Sequence, residues 1–145
     1  ATWWKELSAD QRQALIAAYP VQIGNAEGIP PLARHEANTR VLHDWLSYRD
    51  GLQAKLDSDI RLGYEKKLEL LRINSIEAAL ERGAVAARRA GVDGPYLLRL
   101  DTNAFHGAGM AVVGFGVDPY LAESVVWNVP GRGMTIQELG PGMGT

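Results

Sequence analysis

The chain has 145 residues, 46% hydrophobic and 22% charged, with 15 basic against 17 acidic side chains and no cysteine. That balance fits one ordinary globular domain. It offers no basic excess of the kind that meets a phosphate polymer, and it excludes a disulfide framework, a thiolate metal site and a cysteine nucleophile.

No run approaches the roughly 20 apolar residues of a membrane span. The start, Ala1-Thr2-Trp3-Trp4-Lys5, has no signal-peptide core, and a first residue of Ala rather than Met suggests a processed chain. Ser8-Ala9-Asp10-Gln11 has the form of a capping box and predicts a helix to about Tyr19, with Trp3 and Trp4 covering its apolar stripe of Leu15, Ile16, Ala18 and Tyr19. Pro20 ends or loosens that helix. Gly24 to Pro31 is a turn cluster whose last proline suits the first turn of a new helix.

From Pro31 to about Ala90 the sequence is rich in Leu, Ala, Glu, Lys and Arg and predicts two or three long helices. The expected apolar face is Leu42, Trp45, Leu46, Leu52, Leu56 and Ile60, followed by Leu68, Leu71, Ile76, Leu80 and Val85. Breaks are expected near Gly63 and at Asn74-Ser75, and the last helix should end at Gly91. Residues 1–91 thus form a helical preface to residues 92–145.

Beyond Val92-Asp93-Gly94-Pro95 the period shortens. Tyr96 to Leu100 and Met110 to Val117 predict two strands of an antiparallel hairpin. Val125 to Val129 reads as a third, apolar on both faces, which is the pattern of a strand covered on both sides. It runs into Pro130-Gly131-Arg132-Gly133, where backbone amides without a Cβ in the way suit an anion or oxyanion. Three such strands are the opening of a larger sheet, incomplete within this chain. The tail, Gly140 to Thr145, reads as loop.

Chemical candidates are few. His35 and His43 stand eight residues apart on a predicted helix, with no HExxH pattern, and read as solvated or packing residues. His106 falls at the hairpin tip, where binding residues occur, and is a candidate substrate contact. None of Ser8, Ser47, Ser58, Ser75 and Ser124 lies in a Gly-x-Ser-x-Gly elbow, so no serine nucleophile is expected here. Gly114-Phe115-Gly116 does not complete a dinucleotide fingerprint, and Glu65, Glu69, Glu77 and Glu81 interleave the basic residues from Lys66 to Arg89. No cofactor and no metal site is read from these patterns.

Several blocks together resemble an actinobacterial family of uncharacterised α/β-hydrolases. They are Trp3-Trp4 with Leu7 to Ile16, Ile23 to Pro30 with Ala33-Arg34 and Ala37-Asn38, Tyr96-Leu97-Leu98, Asp101 to Phe105, Gly109 to Val113, and Val129-Pro130-Gly131. The resemblance implies an α/β fold in which long N-terminal helices precede the first three strands of an α/β-hydrolase-type sheet. It also implies that Pro130, Gly131, Arg132 and Gly133 form the oxyanion side of a site acting on a small acyl substrate. The nucleophile, acid and histidine of that family come later in the chain, so the remainder of the hydrolase domain, or a second chain completing the sheet, would supply them. The alternative expectation is a non-catalytic helical module that binds a protein partner through an apolar face.

Overall fold

The structure, a computed structural model, describes residues 1–104 and 109–126. Five helices precede two strands: α1 Thr2–Glu6, α2 Ala9–Ala18, α3 Pro20–Asn25, α4 Pro31–Asp57, α5 Tyr64–Ala90, β1 Tyr96–Asp101 and β2 Met110–Gly114. The capping box forms as the sequence dictates, with the Gln11 amide donating to Ser8 Oγ at 3.2 Å and the Ser8 amide donating to Gln11 Oε1 at 2.9 Å. Trp4, Ile16, Ile23, Ile29 and Ala37 make one buried cluster that binds α1, α2 and α3 to the start of α4. Trp3 remains 46% exposed, so only one of the two tryptophans covers the stripe.

α4 and α5 each have 27 residues, about 40 Å at the helical rise. The expected break near Gly63 is present, since Gly63 is the N-cap of α5, and Gly91 closes that helix in the left-handed region at φ 68°. Asn74-Ser75 is not a break. α5 runs through it because Ser75 is buried in the helix interface and Asn74 Oδ1 accepts from Arg49 of α4 at 2.9 Å, a tertiary tie that outweighs the local preference of Asn and Ser for caps. The buried face of α5 is Leu70, Ile73, Ile76 and Ala87, which leaves Leu71 and Val85 exposed. Val41 and Leu42 of α4, Ile76 of α5, and Leu97 and Leu100 of β1 form the central cluster, with Trp45, Leu46, Leu80, Ala111 and Val113 against it.

β1 and β2 pair antiparallel as a two-stranded sheet. Leu97 faces Val113 and Arg99 faces Val112, so Leu98 is one residue more than its partner strand can match. This bulge explains the burial of β1. A regular strand buries every second residue, whereas here Leu97 and Leu100, three apart, both reach the core. β2 ends at Gly114, short of the expected Val117. There the backbone turns away, Gly116 adopts φ 99°, and its amide donates to Asp93 O at 2.8 Å.

The expected opening of an α/β-hydrolase-type sheet is therefore corrected. The described chain is predominantly helical and carries two antiparallel strands rather than three strands of a larger sheet. Val125 and Val126, the described start of the expected third strand, belong to no strand and are 51% and 92% exposed. A β-branched run becomes a strand only where an edge accepts its backbone groups, and neither residue pairs with β1 or β2. Residues 127–129 of that stretch lie outside the described residues.

Candidate functional site

The site begins with the backbone that the bulge exposes. Because Leu98 is extra, Leu97 and Leu100 both turn their backbone groups away from β2, toward α3 and α4. These groups are met by side chains instead of another strand. His35 Nδ1 accepts from the Leu97 amide at 2.9 Å, and Asn38 Nδ2 donates to Leu97 O at 3.0 Å. Asn25 does both for Leu100, its Oδ1 accepting from the amide at 3.0 Å and its Nδ2 donating to the carbonyl at 2.8 Å. Three side chains thus complete the outer edge of β1.

Asn38 is wholly buried, and its Nδ2 also donates to Gly24 O at 2.9 Å. This approach requires a glycine, since a Cβ on Gly24 would stand 2.0 Å from Asn38 Oδ1. Arg34 lies one turn before Asn38 on the same helix face and donates through Nε to the same Gly24 carbonyl at 3.3 Å. The His35 ring packs edge-on against Tyr96, with centroids 5.6 Å apart. Burial lowers the His35 pKa below its ordinary value, opposed by the nearby Glu36 carboxylate.

On the opposite face of the hairpin the bulge has a second consequence. Leu98 and Arg99 lie between the two buried leucines and both point outward, Leu98 over Gly114. With Glu27, Arg34, Met110 and Val112 they line a cavity of about 260 Å³. Arg99 Nε is buried and has no hydrogen-bond partner among the described residues. Burial lowers the Arg34 pKa, the neighbouring Arg99 charge lowers it further, and Glu27 opposes both.

The residues singled out from sequence do not assemble here. Pro130, Gly131, Arg132, Gly133 and His106 lie outside the described residues. His43 is exposed on α4 while His35 is engaged by β1, so the two histidines form no joint site. No group of His, Asp or Glu among the described residues is arranged to hold a metal ion, and no described helix is long and apolar enough to cross a membrane. No motif in the sequence assigns a role to Asn25, Asn38, Arg34 or Arg99. The one available signal was the Arg34 to Asn38 spacing of a helical turn, close behind a glycine-rich turn.

No family model matches the chain, and no solved structure matches it. Two curated proteins do: the uncharacterised protein MT2140 of Mycobacterium tuberculosis strain CDC 1551 and the uncharacterised protein Rv2079 of strain H37Rv, each 30% identical over 146 residues. The match takes in 93% of this chain and 22% of either relative, so the chain spans about a fifth of the length of the proteins it matches. The chain is similar to an uncharacterised actinobacterial protein, as the sequence blocks had suggested.

Proposed function

We propose that this chain is the N-terminal portion of a serine hydrolase, a mainly helical scaffold for ester, thioester or amide hydrolysis through an acyl-serine. On this reading the nucleophile stands in polypeptide outside residues 1–145, the remainder of the hydrolase is the partner, and Pro130 to Gly133 contribute oxyanion amides toward a small acyl substrate. The match of nearly the whole chain to about a fifth of a far longer uncharacterised protein supports only the part of this reading that calls for further polypeptide, and the hydrolase chemistry rests on the resemblance of the sequence blocks. A scaffold role agrees with the described residues, where three polar side chains fix the position of the hairpin and no serine elbow occurs.

Fluorophosphonate labelling tests it. The full-length Mycobacterium relative should be labelled on a serine outside the matched part, and the 145-residue chain should take no label. A folded relative that stays unlabelled, or a label that falls inside the matched part, overturns the reading.

One observation favours a second reading, a helical module that docks on a protein partner. Tyr64, Leu71 and Val85 are spaced by multiples of seven along α5 and are 73%, 49% and 39% exposed, an apolar line of the sort that pairs with another helix. Here a Leu71→Glu variant should lose partner binding with its fold unchanged, and retention of binding discards the module.

A further inference from the structure

We propose that the cavity on the outer face of the hairpin binds the carboxylate of a small aliphatic acid, with Arg34 and Arg99 holding the head group and Leu98, Met110 and Val112 flanking the tail. The inference is independent of the hydrolase reading. It starts from charge. Two guanidinium groups and one carboxylate, Glu27, line the cavity, and Arg99 makes no ion pair among the described residues. A carboxylate placed between Arg34 and Arg99 relieves the repulsion between the two like charges.

The chemistry of the lining narrows the ligand. Two Arg against one Glu leave a single excess positive charge, which suits a monoanion better than a phosphate dianion. A planar guanidinium fork matches a carboxylate in two-point contact. The other walls are the alkyl surfaces of Leu98, Met110 and Val112, so the tail should be apolar. A volume of about 260 Å³ has room for roughly eight groups the size of a water, which is the heavy-atom count of hexanoate. The bulge makes the site, since without the extra residue Leu98 and Arg99 would fall on opposite faces of β1.

Titration of the 145-residue chain with hexanoate, followed by NMR and calorimetry, is the test. Saturable binding with a Kd of about 1 mM is expected for a ligand of this size, weakening as salt is raised. Acetate, which lacks the tail, and hexanol, which lacks the charge, should each bind at least about tenfold more weakly, a difference of 1.4 kcal/mol. Arg99→Gln should abolish binding and Glu27→Gln should tighten it. The opposite signs of the two variants keep the test independent of any loss of fold in one of them. Equal affinity for hexanol and hexanoate, or unchanged affinity in R99Q, overturns the proposal. So does a wild-type chain that does not bind hexanoate.

Discussion

The two edges of the hairpin are finished in opposite ways. Along β1, the backbone groups of Leu97 and Leu100 are taken by His35, Asn38 and Asn25, from 62 to 75 residues away in sequence for the three bonds to their amides and the Leu100 carbonyl. Along β2, no strand lies beyond Met110–Gly114 among the described residues, and all five residues are half-buried. A bare edge invites pairing with other strands, and only the β1 edge is closed against it. Placement of the hairpin therefore rests on the β1 side, and substitutions there should be felt far more than those on β2.

The sharpest way to break this contrast is Asn38→Ala. It strands the buried Leu97 O and leaves Gly24 O with only the longer bond from Arg34, and should cost about 3 kcal/mol, one unsatisfied buried group together with one lost hydrogen bond. For a chain of this size that is a fall in Tm of roughly 10 °C by thermal melting. Gly24→Ala comes next at about 2 kcal/mol, the scale of overpacking, because the new methyl would stand 2.0 Å from Asn38 Oδ1. The two should not add. With Asn38 already Ala the clash has gone, so the double variant should be more stable than the sum of the singles predicts. Strict additivity would mean that the two residues do not share one contact. On β2, Val112→Thr changes a half-buried outer-face position and should stay within about 0.5 kcal/mol of the parent. A loss comparable to that of Asn38→Ala would remove the distinction between the edges.

What could be read from sequence divides along the same line. The Ser8 box, the Gly63 start of α5 and the Gly91 stop are local, set by residues within a turn or two of each other, and the residues alone predict them. The β1 edge depends on partners dozens of residues distant, and no periodicity announces that an asparagine on a helix will complete a strand. The same blindness accounts for Asn74-Ser75 and for Val125-Val126. In one case a tertiary contact carries the helix through residues that favour caps, and in the other a strand-like run lacks an edge to join. Of the candidate site, Arg34 and Arg99 converge only because the bulge turns Arg99 outward beside Leu98. An extra residue in a ladder is visible only once the register is known.

The smallest effect concerns pH, and it bears on the β1 edge alone. His35 accepts the Leu97 amide through Nδ1, which requires that nitrogen to be unprotonated. Burial, the larger influence, and the weaker opposing pull of Glu36 leave the folded pKa below the ordinary value of 6.5. Between the two values the unfolded chain carries the proton and the folded chain does not, so stability must rise with pH in that window. The contribution is fully present above about 6.5, the unfolded value, is lost progressively as pH falls below it, and levels off once the folded ring also protonates. Urea midpoints measured across that range should show this slope in the parent and a shallower one in His35→Gln, whose side chain can still accept the amide but does not titrate. Identical slopes would mean that the Leu97 contact with His35 adds nothing to stability, and the closure of the β1 edge would then rest on Asn25 and Asn38 alone.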